Sequence, residues 1–187
     1  MINRFIFFVF TMSLVSSTAY SQDQDKWNDA NKKVIRLSPK EFTELPNNIA
    51  LELENRGYTI PQTFVSTAPH NVIYGEFKKK GQTDWAILCS KDYDSSILVF
   101  WAGLEKNVTE IGKAPDKKYL EGIGDGKIGY SRVISPVGKR FILEHYKRYG
   151  GTKPPTITHQ GINDSIGMAS IVHYYYQGKW LKLTGAD

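Results

Sequence analysis

An α+β protein of antiparallel hairpins with an N-terminal helical element is the fold class that this chain of 187 residues predicts. Three observations predict it. Short runs rich in β-branched and aromatic residues recur from Asn71 onward, and turn residues separate them. The links between neighbouring runs are too short for the crossover that a parallel pair requires. One helical signature, a capping box followed by apolar residues at helical spacing, precedes them all.

The elements follow in chain order. Residues 1–21 read as a secretory signal peptide. Arg4 supplies the positive n-region, and Phe5 to Val15 form an apolar run shorter than the roughly 20 residues a membrane helix needs. Ala19 and Ser21 are the small residues before a cleavage site near Ser21/Gln22, which predicts a periplasmic or secreted product. Residues 22–37 are polar, a leader or an irregular first helix. Residues 38–187 form a single globular domain. It starts with Ser38 as N-cap, Pro39 at N1 and Glu41 at N3. Phe42, Leu45, Ile49 and Leu53 then recur at steps of three and four, and Gly57 offers a left-handed C-cap. The spacing predicts one helix, or two divided near Pro46, over about residues 39–56.

After Ile60-Pro61 the character changes to strand. Asn71–Phe77, Asp84–Ser90 and Ser96–Trp101 form the first group. Lys127–Ser135 and Lys139–Lys147 form a pair around Pro136-Val137-Gly138. Met168–Tyr176 and Lys179–Thr184 are joined by Gln177-Gly178, a two-residue hairpin turn. Ala102–Gly126 and Pro154–Ile166 read as long connections. The expected architecture is an antiparallel sheet or a small β-sandwich.

Composition excludes several function classes. Without residues 1–21 the chain keeps 166 residues, with 23 basic against 19 acidic side chains. The surplus is spread along the chain, and Lys78-Lys79-Lys80 is the one run of three, so no nucleic-acid partner is expected. Cys89 is the only cysteine, so an intrachain disulfide is impossible, which suits a bacterial exported domain stabilised by its core. No later stretch is long and apolar enough for a transmembrane segment in the mature chain.

The residues Gly75-Glu76-Phe77-Lys78-Lys79-Lys80-Gly81-Gln82-Thr83-Asp84-Trp85-Ala86 invite a metal reading. They resemble the FG-GAP or VCBS-type hairpin, which implies a calcium loop. Gly75, Phe77, Gly81, Asp84 and Ala86 match that pattern. Lys78 and Lys80 stand where the pattern has oxygen ligands, and an ammonium has no lone pair to give. The expectation is a retained hairpin without its metal: no metal site and no cofactor, with Asp84 accepting backbone N–H bonds across the turn. More broadly, Gly57–Gln62, Gly81–Ser90 and Gly178–Asp187 resemble secreted bacterial proteins. That likeness implies compartment and domain extent and no activity.

Four further stretches carry residues of chemical interest. Cys89 sits in a strand-like run with no local signature of a cysteine hydrolase, so a buried thiol is expected. Gly124–Gly129 spells G-x-G-x-x-G but a strand follows it, so it is a Gly-rich turn. His159 and Asp164 are the pair from which a hydrolase would draw its base and orienter, with His173 as a distant third group. Asp164 as a turn cap and His173 as a sheet histidine are the plainer readings. Trp101, Tyr175 and Trp180 are the expected binding residues, rings on which a sugar or a protein would pack. The chain therefore predicts an exported, non-catalytic binding or structural protein of the bacterial cell envelope, whose partner is a protein or an envelope polysaccharide. The alternative is an exported hydrolase using the loop of His159 and Asp164.

Overall fold

The computed structural model describes residues 16–183, with side chains from Gln24 onward. The expected signal peptide's first fifteen residues lie outside the described residues. Helix α1 (Ser16–Lys33) opens the described chain. Its Trp27 and Ala30 pack on the core, so the stretch read as a leader is largely helical. A short bridge of β1 (Arg36–Leu37) with β2 (Ile60–Pro61) brackets the predicted helical region. Pro46 does divide that region. A 3₁₀ turn, Pro39–Glu41, carries the full Ser38/Glu41 capping box, and α2 spans Asn47–Asn55. Gly57 follows with φ 75°, and its N–H donates to the Glu54 carbonyl.

The first sheet has the order β3 (Val72–Gly75), β4 (Asp84–Lys91), β5 (Asp94–Phe100), β6 (Val108–Pro115), all antiparallel. Strand β6 lies inside a segment that the sequence presents as a connection. The link between β4 and β5 is only two residues, Asp92 and Tyr93, both at positive φ as a type I′ turn requires. A hairpin of β7 (Leu120–Gly122) and β8 (Ile128–Tyr130) follows, turning through the Gly124–Gly126 stretch.

The second sheet has the order β9 (Arg132–Val137), β10 (Gly161–Ile166), β11 (Ala169–Tyr176), β12 (Lys179–Leu183). Two sequence expectations fail here. Lys139–Tyr149 is a helix, α3, where Lys139–Lys147 reads as a strand. Its apolar run Phe141-Ile142-Leu143 is too short to distinguish the two periods, and glycines at 138 and 150 cap the helix. Strand β10 occupies the end of the expected 154–166 connection, so Asp164 is a central-strand residue and not a turn cap. The turn from β11 to β12 is the expected one: Gln177 and Gly178 have φ 49° and 84°.

Period-two alternation organises the layers. In the first sheet Ala86, Leu88, Ile97 and Val99 point one way and Ile87, Cys89, Leu98 and Phe100 the other. The first set meets Ile134 and Ile162 of the second sheet. The other set meets Ile49, Ala50 and Leu53 of α2. On the far side of the second sheet, Val172, Tyr174 and Leu183 pack with Ile142 of α3. The molecule is a sandwich of two sheets with a helix on each outer face. Asn71 stitches the sheets at one edge: its side chain accepts from the Ile134 N–H at 3.1 Å and donates to the Pro61 carbonyl at 2.7 Å.

Candidate functional site

The inner face of the second sheet carries a buried charged cluster. Arg132 is fully buried, and its Nε and Nη2 donate to the two carboxylate oxygens of Asp164 at 2.9 and 2.8 Å. Its remaining donors reach the Ser95 carbonyl at 3.3 Å and the Gly112 carbonyl at 2.8 Å, and its guanidinium lies 4.3 Å from the Tyr119 ring centre. Gly112 has no substitute there: its φ is 64°, and a Cβ would fall 2.6 Å from Arg132 Nη2. His173 Nε2 lies 3.5 Å from the same carboxylate without a hydrogen-bond partner. Burial pushes the Asp164 carboxyl up, but His173 and Arg132 outweigh it and hold the group below its ordinary value. The cluster joins β9, β10 and β11 of the second sheet to β5 and β6 of the first, and the charges of Arg132 and Asp164 satisfy one another.

His159 is placed apart from this cluster. Its ring stacks on Tyr174 at 4.4 Å and 8°, and Nδ1 is 2.9 Å from the Gln160 carbonyl oxygen. Tyr174 belongs to the outer face of the sheet and Asp164 partners Arg132 on the inner face. The structure therefore does not bring His159 and Asp164 together. Cys89 is fully buried on the α2 side of the first sheet, and burial pushes its thiol well above the ordinary range. His70 serves the backbone: its Nε2 accepts from the Thr63 N–H at 2.8 Å.

In the Gly75–Ala86 hairpin Asp84 holds the turn. One oxygen accepts from the Phe77 and Lys78 N–H groups at 3.1 and 2.9 Å, the other from the Gln82 amide and the Ala102 N–H at 2.6 and 2.8 Å. Four donors occupy both oxygens. The carboxylate of Glu76 accepts from the Gly81 N–H at 2.8 Å. Among the described residues no group of three or more His, Cys, Asp or Glu side chains is placed to hold a metal ion.

The three expected binding rings do converge. Trp101 stacks on Trp180 at 5.5 Å and 20° and tilts against Tyr175 at 4.8 Å, and Tyr175 meets Trp180 edge-on at 5.4 Å. Trp101 directly follows β5 of one sheet as the first residue of a 3₁₀ turn, and the other two belong to β11 and β12 of the other. Trp101 is buried and its partners are half-buried, so the cluster is a joint that closes one end of the sandwich.

The open site is one the sequence did not disclose. Along α3 runs a groove of about 620 Å³ lined by Phe141, Glu144, His145, Lys147, Arg148 and Tyr149. Phe141, His145 and Tyr149 recur at steps of four, and their rings form a ladder with centroid spacings of 5.3 and 4.7 Å. That i, i+4, i+8 recurrence of rings was the available signal. The His145 ring is anchored to the sheet at Ser170 Oγ, 3.2 Å away. A second depression of about 550 Å³, between α1 and the β7–β8 turn, mixes Lys26, Lys33 and Lys127 with Asp25 and Asp29. No protein-family model, curated protein or solved structure matches the chain.

Proposed function

We propose that the protein is an exported, non-catalytic binding or structural protein of the bacterial cell envelope, and that the α3 side is its contact surface. The observation that carries this reading is the fate of Asp164. Its carboxylate, the orienter that a hydrolase would need beside His159, is bound by Arg132 through two hydrogen bonds inside the sandwich. The other groups with catalytic potential are also committed elsewhere. Asp84 is fully occupied by N–H donors, and Cys89 is buried on the opposite side of the first sheet from His173. On α3, by contrast, two exposed rings, Phe141 and Tyr149, line one groove together with the exposed cations Lys147 and Arg148. Export rests on the N-terminal pattern of Arg4, the run Phe5–Val15 and the small residues Ala19 and Ser21.

Two measurements test this. Co-sedimentation with isolated bacterial envelopes should retain the purified exported protein, and its mass should correspond to loss of residues 1–21. A panel of ester, phosphate and glycoside substrates should show no turnover that His159→Ala removes. Turnover dependent on His159 would overturn the non-catalytic reading, and absence of envelope retention would overturn the envelope role.

A further inference from the structure

We propose, resting on the binding reading above, that the α3 groove is a docking site for an acidic polysaccharide, a glycan whose sugars carry carboxylates. Charge points to the sign of the occupant. Residues 139–153 hold Lys139, Arg140, Lys147, Arg148 and Lys153 against the single carboxylate of Glu144. All five cations are exposed, and Lys147 and Arg148 line the groove itself. Such a field attracts an anionic chain and repels a cationic one.

The rings point to its class. The ladder Phe141–His145–Tyr149 spans eight residue steps of helix, about 12 Å at a rise of ~1.5 Å per residue. Phe141 and Tyr149 are 39% and 47% exposed, far more than packing on the sheet would leave. Their flat faces suit the apolar side of a sugar ring, which presents C–H groups on one face and hydroxyls at its rim. Arg148 is 5.9 Å from the centre of the Tyr149 ring. A guanidinium beside a stacking surface binds a carboxylate through paired N–H donors while the ring takes the sugar face.

Two other acidic partners fit less well. A membrane surface would require a ridge of apolar side chains. Here the exposed rings of α3 alternate with Glu144, Lys147 and Arg148 instead of forming a continuous apolar ridge, and Ile142 holds the helix down on the sheet. An extended peptide bound by strand addition gains its affinity from backbone pairing with a free strand edge. The groove wall is a helix, whose backbone groups are already bonded within it.

Affinity electrophoresis and calorimetry of the exported protein with polygalacturonate test the site. Dextran is the neutral control, and polyglutamate and phosphatidylglycerol vesicles are the other acidic probes. Polygalacturonate should retard the wild type, and added salt should weaken it. Lys147→Glu with Arg148→Glu should weaken binding at least tenfold. Phe141→Ala with Tyr149→Ala should weaken it severalfold, with the thermal midpoint of both variants close to wild type. Equal retardation by dextran would overturn the acidic class. Retardation unchanged in both variants, or absent in the wild type, would overturn the site. An α3-dependent preference for polyglutamate or vesicles would overturn the glycan. If envelope co-sedimentation persists in any of these cases, the binding reading stands and only the groove assignment falls.

Discussion

Two helices do the same topological work in this molecule and do it differently. Each covers the outer face of one sheet. Helix α2 has nine residues and buries Ile49, Ala50 and Leu53, with Phe42, Leu45 and Ile60 closing the rim. Helix α3 has eleven residues and buries only Ile142. Phe141, Leu143 and Tyr149 remain 39 to 47% exposed on it. Full burial of one Ile or Leu side chain is worth about 1.5–3 kcal/mol. By that measure α2 is part of the core, whereas α3 is a docked surface element that spends its remaining side chains on rings and cations. The contrast teaches where function is cheapest to place: on the element whose residues the fold needs least.

The largest effect should come from the interior that both helices cover. Asp164→Ala strands the buried Arg132 and should cost about 3–5 kcal/mol in urea unfolding. Replacing both partners with apolar residues, Arg132→Met with Asp164→Leu, should recover most of that loss. Equal destabilisation by the double variant would mean that the cluster does more than satisfy itself. The pH dependence has a definite sign. The native Asp164 carboxyl is held below its ordinary value, so the unfolded chain takes up the proton first. The stabilisation is complete above the unfolded value of about 3.9 and is lost as the pH falls below it through the native value. Acid titration of unfolding free energy should show this slope in the wild type and a shallower one in the double variant.

The next test compares the two helices directly. Leu53→Ala removes a fully buried side chain from α2 and should cost about 2–5 kcal/mol. Ile142→Ala removes a nearly fully buried one from α3. It should fall at or below the lower end of that range, because a helix with a single buried apolar side chain relaxes onto the sheet. Equal costs would erase the distinction. Native-state hydrogen exchange sharpens it without mutation. Amides of residues 142–149 should open at lower free energy than those of 50–55, since opening free energy follows local apolar burial.

The sequence showed the elements whose signals are local. The capping box at Ser38–Glu41, the Gln177-Gly178 turn and the bonds of Asp84 to Phe77, Lys78 and Gln82 each depend on residues within seven positions of one another. Alternation in Asp84–Ser90 and Ser96–Trp101 gave the two strands that divide the core. What escaped depends on distant partners. Gly161–Ile166 has the composition of a turn, and Asp164 is tolerable in a central strand only because Arg132, 32 residues earlier, meets it. The period of α3 was hidden because Phe141-Ile142-Leu143 suits either a strand or a helix. Burial of Ile142 against Val172 and Tyr174 settles it, and that contact is long-range. The candidate site was missed for the same reason, since a ladder of rings exists only once the helix does. Trp101, Tyr175 and Trp180 were legible as a set, but their burial in the joint between sheets is a property of the tertiary fold.

The smallest effect is the most diagnostic. If α3 holds Phe141 and Tyr149 for a ligand and not for the fold, Phe141→Ser and Tyr149→Ser should each change unfolding free energy by no more than about 0.5 kcal/mol, the range of ordinary surface substitutions. A structural role predicts otherwise. The ring ladder with His145 is a favourable contact, and rings packed to stabilise a helix contribute about 0.5–1.5 kcal/mol beyond their area. Chemical denaturation of the two single variants and their double decides between these. Losses that stay small and additive leave the rings free for binding. A double variant that loses well over 1 kcal/mol would make the ladder part of the core, and the difference between the two outer faces would then be one of degree.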